Sequence, residues 1–171
     1  MAGQLIQVAT TSISNVSNFS ITGIDTDDVY LITLNNLYMN TDGARPRLRF
    51  TKSSDSSADT TANYDYADKV LNAVGFSNRG ITNDTKTVLE TTSTTANNET
   101  ANAIIYLFNF NSSSEYSFYT YEQTNRNQSA QLSAPTGGGV HTVASASDGV
   151  QFSLNANNFT SGKFTLFGLK K

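Results

Sequence analysis

The chain has 171 residues, no cysteine, one histidine and a net charge of −3. Disulfides, thiolate metal sites, cysteine nucleophiles and multi-histidine zinc centres within one chain are therefore excluded, and the acidic balance argues against a nucleic-acid binder. Its length favours one domain, residues 1–171, large enough to bury roughly 70% of its unfolded surface without staples.

Phe and Tyr are plentiful, at 10 and 8 residues, and the polar residues are mostly Ser, Thr and Asn. Aromatic and β-branched side chains fit a pleated sheet, while Asn and Ser fit turns. No apolar run approaches the ~20 residues of a membrane-spanning helix, and Met1–Val8 lacks the basic and apolar regions of a signal peptide.

Leu5–Val8 reads as a first strand or as part of an arm, residues 1–12, reaching a neighbour; Leu5, Ile6 and Val8 are its apolar contacts. Ile13–Ile21 alternates loosely. Thr22–Asp28 is a turn in which Asp25, Asp27 and Asp28 cluster. Calcium favours such oxygens, but the EF-hand pattern is absent and aspartates are common in turns, so no metal is expected. Val29–Met39 is apolar on both faces, with Val29, Leu31, Leu37 and Met39 on one and Tyr30, Ile32, Leu34 and Tyr38 on the other. Such a strand belongs at the centre of a sheet, covered by the opposing sheet and, on its far side, by loops or a neighbouring subunit.

Arg45–Thr51 predicts a strand with Arg45, Arg47 and Arg49 on one face and Leu48 and Phe50 on the other. Pro46 places it at a sheet edge or at a strand start. Guanidinium forks suit carboxylates or anionic glycans, so the triad is a candidate interface; a charged edge that discourages sheet-to-sheet pairing is the plainer reading. Lys52–Asn63 is a polar loop. Tyr64–Gly75 is the one stretch that fits a short helix, through Tyr66, Val70, Leu71 and Val74, with a strand as its alternative.

Lys86–Thr91 predicts a short strand and Ser93–Thr100 a polar loop. Ala101–Phe110 is a second two-faced run, and Glu115–Glu122 returns as its hairpin partner, carrying Tyr116, Phe118, Tyr119 and Tyr121. Thr124–Gly139 reads as a long loop made pliable by Gly137, Gly138 and Gly139, and His141–Ala146 as a strand. The chain closes on a hairpin: Val150, Phe152 and Leu154 alternate with polar residues, Asn155–Gly162 turns, and Phe164–Leu169 returns.

The sum is an all-β fold: a jelly-roll-like antiparallel β-sandwich of about eight or nine strands with at most one short helix, an up-and-down barrel being the alternative. Catalytic chemistry finds little support. Asp65 with Asp68, or Glu115 with Glu122, would be a glycosidase pair only at a fixed spatial separation. His141 has no nucleophile elbow, and no Gly-rich phosphate loop precedes Lys86–Thr87. No enzyme, cofactor or catalytic residue is expected.

One resemblance adds to this. Ser147–Ser153 followed by Phe159–Lys170 has the form F-x-S-G-x-apolar-x-L-F-G-apolar-K. That ending resembles virion structural proteins of tailed bacteriophages, as do Ile21–Tyr30 and Asn63–Ala67, which are similar to stretches in cyanophage-type particles. The resemblance implies a particle building block: a capsid decoration or cement protein, or a head-fibre component, assembled in a bacterial cytoplasm and resident in the virion. Its expected partners are the major capsid protein or other virion proteins, and copies of itself in a trimer or another symmetric oligomer, with neither nucleic acid nor membrane. The alternative is a tail-fibre tip that recognises host glycans.

Overall fold

The structure, a computed structural model, describes residues 3–26, 29–90 and 99–170. The described residues hold no helix and twelve strands: β1 (Gln4–Val16), β2 (Asn18–Thr22), β3 (Val29–Met39), β4 (Pro46–Lys52), β5 (Tyr64–Asn72), β6 (Gly75–Asp84), β7 (Thr87–Val88), β8 (Ala101–Phe108), β9 (Ser117–Arg126), β10 (Leu132–His141), β11 (Ser147–Leu154) and β12 (Phe159–Lys170). They form two antiparallel sheets, an eight-stranded one in the order β1-β12-β3-β8-β9-β10-β5-β6 and a four-stranded one in the order β2-β11-β4-β7.

Without the hairpins β5–β6 and β9–β10, the remaining strands pair first with last. β1 pairs with β12, β2 with β11, β3 with β8 and β4 with β7. This nested order is a long antiparallel ribbon rolled onto itself, which is the jelly roll. The two hairpins leave the roll between β4 and β7 and between β8 and β11. Both add to the large sheet beyond β8, so that sheet overhangs the small one by four strands.

Alternation drives the packing. On β8, Ala101, Ala103, Ile105 and Leu107 are buried while Ile104 and Tyr106 are exposed. One end of the core is a cluster of Phe19, Phe152, Phe159 and Phe164, with ring centroids 4.5–6.5 Å apart. The other end gathers Tyr64, Phe110, Tyr119 and His141 around Phe50. Burying each ring contributes about 2–3 kcal/mol.

Several sequence expectations need correction. Val150, Phe152 and Leu154 lie opposite Phe164 and Leu166, but not in a hairpin. β11 pairs with β2 and β4, whereas β12 pairs with β1 and β3, so the Asn155–Asn158 turn carries the chain between sheets. Of the two readings of Tyr64–Gly75, the strand holds and the helix does not: β5 spans Tyr64–Asn72. Tyr64, Tyr66 and Asp68 are buried at every second position, Leu71 and Val74 are exposed, and Gly75, at φ 153°, serves a hairpin turn. Residues 4–16 are an edge strand held along β12, which matches the first-strand reading of Leu5–Val8 and not the arm. In β3 the ladder is irregular between Leu34 and Leu37, with Asn36 at φ 53°. That bulge turns Leu37 and Met39 to the core beside Tyr30, Ile32 and Leu34, separating them from Val29 and Leu31.

Gly137–Gly139 lie inside β10, and the expected loop shrinks to residues 127–131. A Cβ on Gly139 would sit 2.6 Å from the Asp65 carbonyl oxygen and 2.7 Å from the Tyr119 ring. The glycines mark close approach of neighbouring strands and not pliability. His141 ends β10 instead of beginning a strand. β6 escaped the sequence reading because Gly75–Asp84 shows no apolar alternation. Of Lys86–Thr91, only Thr87–Val88 pairs, and residues 91–98 lie outside the described residues.

Candidate functional site

The outer face of the large sheet is the unusual surface. Register lines its residues up in rows across the strands. One row runs Val29–Phe108–Phe118–Val140 from β3 to β10, and Leu5 stands beside Leu169 at the sheet's edge. The next row begins with Phe167, Leu31 and Tyr106 and then falls to small residues, Thr120, Gly138, Ala67 and Gly80. Ile104, Tyr106 and Phe118 are 42%, 44% and 44% exposed. The rings of Tyr106 and Phe108 stack at 6.5 Å. Beside this ridge lies a shallow depression of about 560 Å³, floored by Ala67, Gly80 and Gly138 and flanked by Phe118, Val140 and Asp65. A contiguous apolar surface of this kind marks an interaction site more often than a solvated face.

The small sheet faces water differently. Arg47 and Arg49 point outward from β4, opposite Ser153 and Gln151 of β11, which in turn stand opposite Asn18 and Ser20 of β2. Arg45 is tied to Glu90 at 2.8 Å, and Arg49 Nε donates to the Thr85 carbonyl at 2.9 Å. Among the described residues the Arg47 guanidinium has no hydrogen-bond or ion-pair partner, although its backbone lies in the ladder with Ser153 and Val88. The other candidate contacts sit elsewhere: Leu5 on the outer face of β1, Ile6 on its opposite face, and Val8 at the bulge between Gln7 and Ala9. The structure therefore does not gather the arginines and the β1 residues into one site. β1 is nonetheless an open edge, with no charge and no proline over its 13 residues.

The titratable residues in the interior serve structure. Asp68 is buried on β5 and grips Arg79 of β6 through both Nε and Nη2, accepting also from the Tyr121 hydroxyl at 3.1 Å. Arg79 Nη1 reaches Glu90 at 2.6 Å, and its Nη2 donates to the Val88 carbonyl at 2.6 Å. This network ties the β5–β6 hairpin to the chain that follows β7. Burial, and then the charge of Asp68, push the Tyr121 hydroxyl well above the usual range. Asp65 and Asp68 face opposite sides of β5, and Glu122 faces outward from β9. His141 is 1% exposed, packed 4.7 Å from Tyr64, and burial holds its pKa below 6.5. Asp59 Oδ2 lies 3.2 Å from His141 Nε2, yet both ring nitrogens lack a hydrogen bond of proper geometry. Asp25 accepts from the Tyr30 hydroxyl at 2.9 Å; Asp27 and Asp28 lie outside the described residues. Among the described residues no cluster of His, Asp and Glu suits a metal.

These features define a class: a jelly-roll sandwich with one mostly polar face and one partly apolar face, widened by two inserted hairpins. Comparison with protein-family models, curated proteins and solved structures finds no match to this chain. The need of Val29–Met39 and Ala101–Phe110 for cover on both faces is legible in their sequence. The depression is not, because its floor comes from a strand without periodicity, β6, and from the glycine run of β10.

Proposed function

We propose that the protein is a structural subunit of a bacteriophage virion, a capsid decoration or cement protein or a head-fibre component, that sits on the particle as a symmetric oligomer. One observation carries the reading: the apolar rows on the outer face of the large sheet, opposite an outer face on the small sheet lined by Arg47, Arg49, Gln151, Ser153, Asn18 and Ser20. Apolar cover from copies of the same chain would remove those rows from water. The arginine face would then point outward, where Arg47 in particular could meet carboxylates of the major capsid protein. The resemblance of the C-terminal residues to phage virion proteins supports the same reading.

A tail-fibre tip that binds host glycans is the second reading, favoured by the depression beside Phe118, where an aromatic wall and Asp65 adjoin a small-residue floor. The test is co-sedimentation of the purified protein with particles lacking it, alongside a glycan array. Saturable binding to particles, weakened by serine at Arg45, Arg47 and Arg49 with self-association unchanged, is the expected result. Saturable glycan binding with no particle binding would overturn it in favour of the second reading.

A further inference from the structure

The outer face of the large sheet is complementary to itself, and we infer that it pairs face to face with a second copy about a two-fold axis lying along β10. The inference rests on the assembly reading above and names the partner of that surface. A two-fold in the plane between two sheets, parallel to β10, keeps each row at its own level and exchanges the columns on either side. β9 then lies over the partner's β5, and β8 over the partner's β6.

Two consequences of the register favour this arrangement. In the second row Tyr106 of β8 comes to lie over the partner's Gly80, beside the partner's Ala67, so the ridge of one copy enters the depression of the other. In the third row Glu122 stands next to Thr136, which stands next to Lys69. The exchange therefore sets Glu122 of β9 opposite the partner's Lys69, and the symmetry makes that ion pair twice. Lys69 is held on this face by its contact with the Phe76 ring, 4.0 Å from the centroid. Both members are exposed, and among the described residues Glu122 has no ion-pair partner within its own chain.

The footprint is adequate as well. Five strands spaced about 4.8 Å apart and some ten residues long cover an area on the order of 800 Å² per copy, close to the ~800 Å² per partner of a standard stable interface. Packed sheets keep their strands within about 30° of one another, which leaves the facing columns in reach.

The test uses light scattering and analytical ultracentrifugation of the full chain with four variants. The parent is expected at twice the 18.5 kDa chain mass. Glu122→Lys alone and Lys69→Glu alone each turn both ion pairs into repulsions and should raise the dimer dissociation constant by about tenfold or more at low salt. The double variant Glu122→Lys/Lys69→Glu restores the pairs in reverse and should return to near the parent value. Gly80→Leu should abolish the dimer, because it fills the depression. It should leave the fold intact, since a Cβ there meets only ordinary contacts at 3.7 and 3.9 Å; circular dichroism checks this.

A three-chain mass, or a dimer indifferent to Gly80→Leu and to the charge exchange, would overturn this inference and leave the virion-subunit reading standing. A monomer at every concentration would also overturn it, and co-sedimentation with particles then judges the virion reading by itself.

Discussion

Arg79→Met is the perturbation that most directly probes how the inserted hairpin is held. Methionine approximates the stem of arginine but removes the fork. In the native chain that fork grips Asp68, reaches Glu90 and donates to the Val88 carbonyl. Glu90 keeps Arg45 at 2.8 Å and is not orphaned. Asp68 fares worse: its side chain is 1% exposed, and only the Tyr121 hydroxyl, at 3.1 Å, would remain. Removing one partner of a buried ion pair costs about 3–5 kcal/mol, and the surviving Glu90 contact argues for the lower end. For a chain of this size about 3 kcal/mol lowers Tm by roughly 6–12 °C. Adding Asp68→Asn removes the stranded charge, keeps an acceptor for Tyr121, and should recover about half of that loss. Thermal unfolding followed by circular dichroism at pH 7, with urea titration for the free energy, reads both variants. A Tm for Arg79→Met within about 2 °C of the parent, or a double variant no better than the single one, would refute the claim that this network anchors the hairpin.

Two further outcomes follow from the core. Burial lowers the pKa of His141, partly opposed by Asp59, so the unfolded chain takes up a proton there before the folded chain does. Stability should be level above the unfolded value of about 6.5 and fall as pH drops from there towards the depressed folded value. His141→Phe, placed among Phe50 and Tyr64, should flatten that window in urea titrations at a series of pH values; an unchanged slope would count against it. Asp59 acts in a lower window. Burial raises its pKa, but hydrogen bonds from Thr61 and the nearby histidine outweigh this, so its contribution is present above about 3.8 and lost below. Gly139→Ala forces a Cβ within 2.6 Å of the Asp65 carbonyl oxygen and should cost about 1–3 kcal/mol, measured by urea unfolding; a neutral result would mean that β5 and β10 can move apart freely.

Local alternation was enough to name the fold class. The patterns at Arg45–Thr51 and Val150–Leu154 mark half-buried strands because the side-chain period of a strand is two, whatever its neighbours. The Asn- and Ser-rich breaks separate them for equally local reasons. Which strands pair is another matter. β11 and β12 are adjacent in sequence and look like a hairpin, yet they lie in different sheets, because Phe152 and Phe164 are buried by facing each other across the core and not by lying side by side. The helical stripe proposed for Tyr64–Gly75 lost to the burial of Tyr64, Tyr66 and Asp68 on one sheet face.

The candidate surface divides the same way. That β3 and β8 would present apolar side chains outward was legible, since a strand apolar on both faces needs cover twice. The depression was not legible. Gly80, Gly138 and Ala67 come together only because two hairpins inserted at distant points of the roll join one sheet edge, and register across strands far apart in sequence is set by packing alone. Sequence by itself determined the regular strands, such as Arg45–Thr51 and Val150–Leu154, and their inward and outward residues, because those depend on the alternation of one segment. Only the tertiary structure decided which outward residues share a surface, because that depends on which segments become neighbours.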